Sequence, residues 1–167
     1  MSRIIISGES ADFFNTTEGA IFTDAENEIR LFGKKVGEDY LRKCAEYFSQ
    51  LPDELRETLC EATAEYLTDI IEEHADEYDV DYLPEITAGN VLTFLRPVEL
   101  RTEAHDILSE EDMPPAFSVK LEFTPVPVEL VEWVLRGEDA MYVGEYRGLS
   151  PWNDNLSGKR WNYIREE

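Results

Sequence analysis

The residues with the clearest chemical potential are carboxylates that recur every three or four positions between residues 54 and 76. The row comprises Glu54, Glu57, Glu61, Glu65, Asp69, Glu72 or Glu73, and Asp76. Four residues of an α-helix rise about 6 Å, so this spacing predicts a continuous line of negative charge along one helix face. Such a line is either a solvated face or a recognition surface. Like charges at this spacing cost stability, whereas ordinary surfaces alternate Glu with Lys. The candidate partner-binding residues are Glu57, Glu61, Glu65, Asp69 and Glu72.

Catalytic and metal-binding patterns are not found in the sequence. It contains no Gly-x-Ser-x-Gly, no P-loop and no Gly-x-Gly-x-x-Gly. The two histidines, His74 and His105, match no metal-ligand spacing. Because the chain has 37 acidic residues, close carboxylate pairs arise by chance and do not indicate acid–base catalysis. We therefore expect no enzyme activity, no catalytic residue, no cofactor and no metal.

Two further patterns have structural explanations. Cys44 and Cys60 lie eight residues on either side of Pro52, and they could face each other across a helical hairpin. Two thiols do not complete a zinc site, so we interpret them as small buried apolar residues. The alternating acids at 76–81 lack the glycine and the distal glutamate of a calcium-binding EF-hand loop, and they favour a solvated helix exit.

The C-terminal segment concentrates residue types that often anchor interfaces. The secondary interaction candidates are Glu145, Arg147, Trp152, Asp154 and Trp161. Large aromatic side chains near a chain end are more stable docked than loose. We therefore favour a segment that folds back and caps the end of a sheet, with Arg147 as an internal partner for a carboxylate.

The charge balance limits the classes of partner. The 167 residues carry a net charge of −22, of which −13 falls in residues 37–86, with 16 acidic and 3 basic residues. This charge repels nucleic acids and anionic membranes and attracts basic proteins. No apolar run has the length of a membrane helix or of a secretory signal. We expect one domain, residues 1–167, in the cytoplasm.

Two helices must position the carboxylates. Apolar residues at steps of three and four predict a second helix from Pro52 to near Asp76. A similar stripe predicts a shorter first helix, and the tight turn between them favours an antiparallel hairpin. The first stripe comprises Tyr40, Leu41, Cys44, Ala45, Tyr47 and Phe48. The second comprises Leu55, Leu59, Ala62, Tyr66, Leu67, Ile70 and Ile71.

The rest of the chain favours strands. Short strands are predicted at 3–7, 19–23 and 28–32, with turn-like residues at 8–17, and they either extend the main sheet or form a small one. A short third helix is predicted at 87–95, ended by Pro97. Four strands come after it, near 98–102, 117–123, 130–135 and 140–146, with an acidic loop at 104–115. The predicted fold class is α+β: an antiparallel C-terminal sheet of about four strands packed on the helical hairpin.

Three stretches resemble a known group of proteins. They are VLTFLRPVEL at 91–100, PAFSVKLEF at 115–123 and YVGEYRG at 142–148. Their combination is similar to small acidic bacterial domains of unknown function, some of which resemble immunity proteins of polymorphic toxin systems. The resemblance covers the C-terminal half, supplies no catalytic residues and implies a role in neutralising a toxin.

Three functions are compatible with these observations. The first is a non-catalytic, immunity-type inhibitor whose acidic helix face binds a basic protein partner such as a toxin. The second is a structural or regulatory interaction module that uses the aromatic C-terminal segment. The third is a small-molecule binder or enzyme with a pocket between the sheet and the helices.

Overall fold

The computed structural model describes residues 3–6, 9–11, 28–73, 85–125, 130–157 and 159–164. Helix α1 spans Glu38–Ser49 and helix α2 spans Asp53–Glu73, which confirms the two predicted helices. The strands are β1 (Arg3–Ile6), β2 (Glu9–Ala11), β3 (Glu28–Lys34), β4 (Leu95–Glu103), β5 (Ala116–Phe123), β6 (Leu130–Arg136) and β7 (Asp139–Glu145).

The seven strands form one sheet in the order β2-β1-β3-β4-β5-β6-β7. The four C-terminal strands pair antiparallel, as predicted. The pairs β1–β3 and β3–β4 are parallel, so the N-terminal strands extend the main sheet. Parallel neighbours need a long crossover connection, and α1 and α2 lie within the one that joins β3 to β4. The fold class is α+β, as predicted.

Some local predictions differ from the structure. Residues 9–11 were predicted to be turn-like. They form β2 instead, because β1 supplies backbone hydrogen-bond partners for them. The predicted helix at 87–95 is reduced to the 3-10 helix Val91–Phe94. Pro97 therefore lies inside β4, at a register shift where its missing N–H is tolerated. The predictions for residues 12–27 and 74–84 lie outside the described residues.

The helix-facing side of the sheet holds the main apolar core. Phe117, Val119, Leu121 and Phe123 alternate along β5 and are fully or almost fully buried, as predicted for this strand. The Phe48 ring of α1 makes edge contacts with Phe117 and Trp133, at centroid distances of 6.0 and 6.4 Å. Both predicted helix stripes pack in this core. The contacts of Phe48 with Phe117 and Trp133 therefore fix α1 on the sheet.

Trp133 also connects the sheet to α2. Its indole Nε1 donates a buried hydrogen bond of 2.9 Å to Thr63 Oγ1, and Thr63 Oγ1 in turn donates to the Leu59 carbonyl at 2.6 Å. Both Trp133 and Thr63 are fully buried. This chain of hydrogen bonds fixes the rotation of α2 about its axis, and so determines which of its faces points to solvent.

The start of α1 depends on a close packing contact and a cap. A Cβ atom placed on Gly33 would lie 2.6 Å from the side-chain atom Val36 Cγ2, so a larger residue here would require Val36 to shift. The backbone N–H of Gly37, at the N-terminus of α1, donates to Glu110 Oε1 at 2.8 Å. Tyr40 Oη donates to the Pro114 carbonyl at 2.8 Å. The acidic loop at 104–115 is thereby attached to α1.

The Trp133–Thr63 hydrogen bond gives a stability prediction. Thr63→Val keeps the side-chain volume but removes the acceptor of the indole N–H, and we expect a loss of about 1–3 kcal/mol in the free energy of unfolding, measured in urea. Thr58→Val is the matched control. Thr58 is exposed on the same helix and donates to the carbonyl four residues earlier in the same way.

The assignment requires that the cost of Thr63→Val falls when Trp133 is already Phe, since the two changes remove the same bond. Equal costs for Thr63→Val and Thr58→Val would show that the indole bond contributes nothing.

Candidate functional site

The five predicted partner-binding carboxylates share one exposed face of α2. Glu57, Glu61, Glu65, Asp69 and Glu72 are all solvent-exposed, whereas the inward side of the same helix is buried at Leu55, Leu59, Tyr66 and Leu67. The only base in the helix, Arg56, pairs with Asp53 at 2.9 Å in the first turn. This cation therefore lies at the end of the row and does not interrupt it. The structure brings the five candidates together as a continuous acidic surface, which we call the acidic face.

In the described part of the C-terminal segment, Tyr163 contacts the acidic face. Tyr163 Oη donates a hydrogen bond of 2.8 Å to Asp69 Oδ2, and the Tyr163 ring packs edge-on against Tyr66 at 5.2 Å. Asp69 is therefore oriented by a tyrosine from the C-terminal segment. The carboxylates nearer the start of the helix, Glu57 and Glu61, are exposed on its first turns.

The secondary candidates around Trp152 lie in contacts within the protein. Trp152 Nε1 donates to the Glu103 carbonyl at 2.8 Å, and the Arg136 guanidinium lies 5.5 Å from the Trp152 ring centroid. Arg136 also pairs with Asp154 at 2.8 Å. These contacts dock the C-terminal segment across the ends of β4 and β6, in the manner expected of a segment that caps the sheet.

The remaining secondary candidates surround Trp161. The guanidinium of Arg147 lies 4.4 Å from the Trp161 ring centroid, and it pairs at 3.7 Å with Glu145 in an exposed ion pair, not in the internal one that was predicted. Gly144 makes this docking feasible, because a Cβ there would lie 2.7 Å from the Trp161 carbonyl oxygen. The absence of a side chain at position 144 thus allows the segment to lie close against the sheet.

A buried ion pair on the face of the sheet opposite the helices was not predicted from the sequence. Glu132 of β6 is 0% exposed, and its Oε2 accepts a hydrogen bond of 2.7 Å from Arg101 Nη2 of β4. Its Oε1 accepts from the backbone N–H groups of Leu149 at 3.1 Å and Arg147 at 3.4 Å. The sequence signal was present as a single acid within the apolar run LVEWVLR. A strand with one charge in such a run commonly holds a paired charge.

Burial sets the protonation behaviour of this group. It raises the pKa of the Glu132 carboxyl, while the Leu149 N–H and the Arg101 guanidinium counteract that rise. The cation is itself held by an aromatic ring: Tyr146 has Arg101 at 5.3 Å and Lys120 at 4.7 Å from its ring centroid. The cluster joins β4, β5, β6 and the start of the C-terminal segment.

The other residues considered for chemistry have local roles. Cys44 and Cys60 are free and buried, and burial raises the pKa of both thiols, which makes them poor nucleophiles. His105 Nδ1 accepts the N–H groups of Ile107 and Leu108 at 3.0 Å, so it shapes a turn. Within the described ranges no three His, Cys, Asp or Glu side chains are grouped as a metal would require. No described helix has the length and apolarity needed to cross a bilayer.

Comparison with known proteins places the chain in a family. Residues 7–150 match the model of a domain of unknown function (DUF6985), and because this is most of the chain, the protein belongs to that family. No curated protein and no solved structure matches it. The predicted resemblance to a domain of unknown function is thus confirmed, and the likeness to immunity proteins stays a prediction.

The buried ion pair gives a second stability prediction. Glu132→Gln places an amide N–H₂ group against Arg101 or against the two backbone donors, all of which need an acceptor. We expect a loss of about 1.5–3 kcal/mol in the free energy of unfolding, as for a hydrogen bond to a charged group. The expected loss in the free energy of unfolding is smaller than for a fully buried ion pair, because the Arg101 side chain is 27% exposed.

Glu145→Gln is the matched control, since Glu145 pairs with Arg147 at the surface. Urea unfolding of this variant should show a change of less than about 1 kcal/mol. Equal effects of the two substitutions would contradict a structural role for the Glu132 cluster.

Proposed function

We propose that this protein is a non-catalytic acidic binding protein, an immunity-type inhibitor that neutralises a basic protein partner such as a toxin. The observation that carries this proposal is the acidic face: five exposed carboxylates aligned on a helix whose opposite side is anchored in the core. A surface that served only for solubility would not need its charge in one line. Like charges at this spacing lower helix stability, so their retention favours a role in recognition.

The mechanism that we propose is occlusion of a cationic surface. A nuclease, for example, binds the phosphates of its substrate through Lys and Arg side chains. Carboxylates spaced about 6 Å apart along α2 would occupy positions near those cations and exclude the substrate. The net charge of −22 would also steer a basic partner toward the protein and accelerate association.

The anchoring of α2 supports this mechanism energetically. A flexible acidic segment must lose conformational entropy when it binds, which weakens affinity. The acidic face is instead displayed by a helix of 21 residues, held from below by the Trp133–Thr63 hydrogen bond and by eight buried residues of its own. The carboxylates are thus presented on a preorganised backbone.

Charge reversal tests the assignment of this face. We expect Glu57→Lys combined with Glu61→Lys to slow association with a basic partner at least about tenfold at low salt, the lower end of the range for electrostatic steering. The partner is first captured from an extract of the native cell on the wild-type protein, and the association rate is then measured by stopped flow.

The control is Asp106→Lys combined with Glu111→Lys. These residues are exposed outside α2, and their reversal changes the net charge by the same amount. It should affect the rate much less than reversal on α2. Equal slowing by the α2 variant and the control variant would show that only the net charge matters. Unchanged binding by the α2 variant would reject the acidic face as the binding surface.

A further inference from the structure

A cavity opens on the face of the sheet opposite the helices, beside the buried ion pair. Its volume is about 240 Å³, and it lies between the ends of β3 and β4 and the loop that follows β7. The lining residues that matter here are Phe32, Lys34, Arg101, Ser118, Leu149 and Pro151. The cavity is distinct from the acidic face, and ligand binding in it is independent of the proposed function.

The floor of the cavity is preformed by buried hydrogen bonds. Ser118 is fully buried, and its Oγ donates to the Leu149 carbonyl at 2.6 Å. The Leu149 N–H is bound by Glu132 at 3.1 Å. Both polar groups of the Leu149 backbone are therefore held by buried side chains of the sheet. A site that keeps its shape without a ligand loses little entropy on binding.

The walls combine an apolar surface with a cation. Phe32 is 45% exposed, and Leu149 and Pro151 add apolar surface. A guanidinium has five N–H donors, and Glu132 takes only the Nη2 side of Arg101. Arg101 Nε is buried and has no hydrogen-bond partner among the described residues. Gly148 lies beside the guanidinium: a Cβ atom placed on it would be in van der Waals contact, at 3.9 Å, with Arg101 Nη1.

We propose that this cavity binds a small monocarboxylate with an apolar body. The carboxylate accepts hydrogen bonds from Arg101 Nη1 with support from Lys34, and the apolar part packs against Phe32. Because pockets for drug-sized ligands measure about 300–1,000 Å³, a cavity of this size suits a smaller molecule. Glu103 also lines the cavity and disfavours a second negative charge on the ligand.

Benzoate is the probe, and benzamide is its neutral analogue of similar shape. In a titration followed by backbone amide NMR, benzoate should cause saturable shifts centred on Gly148 and Leu149, and benzamide at the same concentrations should not. The proposal is overturned if benzoate produces no saturable shift up to about 20 mM, a weak limit for a ligand of this size. Shifts that map away from the cavity would also overturn it.

Two variants, each with a matched control, distinguish binding in the cavity from non-specific binding. Phe32→Ala removes an exposed aromatic wall and should raise the benzoate Kd about fivefold. Leu108→Ala removes an exposed apolar side chain outside the cavity and should leave the Kd unchanged. Lys34→Gln should raise the Kd, whereas Lys35→Gln, one residue further along the chain, should not. If Phe32→Ala and Lys34→Gln both bind benzoate with the wild-type Kd, the interaction is non-specific and the site is rejected.

Discussion

The position of both helices on the sheet depends on contacts made by Trp133. Its ring packs against Phe48 of α1, and its indole N–H binds Thr63 of α2. The apolar burial is non-directional, but the hydrogen bond fixes how α2 is rotated. That rotation places Leu59 and Leu67 inside and turns Glu57 and Glu61 to solvent. The outward display of the carboxylates is thus a consequence of packing on the other side of the helix.

The helix-facing half of the structure was largely predictable. Repeats of 3.6 and 2 residues marked the helix stripes and the strands of the C-terminal sheet, because each element buries one face only. Prediction failed in two places where strand pairing decides the outcome. Residues 9–11 become a strand through their pairing with β1, and Pro97 is accommodated by a register shift in β4. The partner of residues 9–11 is near in the chain, but their polar residues do not mark a strand, and Pro97 pairs with the distant Leu121.

The opposite face of the sheet was not foreseen. Ser118 and Lys120 are the polar residues of the alternation along β5, and the C-terminal segment covers part of this face, where Ser118 and Glu132 are buried. The ion pair of Glu132 with Arg101 joins positions 31 residues apart, and no periodicity encodes it. The aromatic residues of the segment indicated docking, but the register of Trp161 over the sheet depends on Gly144, whose role appears only in three dimensions.

The two faces therefore contribute different surfaces: α2 carries an acidic row on a fixed scaffold, and the other side carries a small cavity with a cation. The central claim is that a basic partner lies on the acidic face. Carbodiimide labelling of carboxyl groups, compared with and without the captured partner, tests this residue by residue. We expect labelling of Glu57, Glu61, Glu65, Asp69 and Glu72 to fall in the complex, while that of the exposed Glu111 stays constant. Equal labelling of the acidic face in both states would contradict the proposed binding surface.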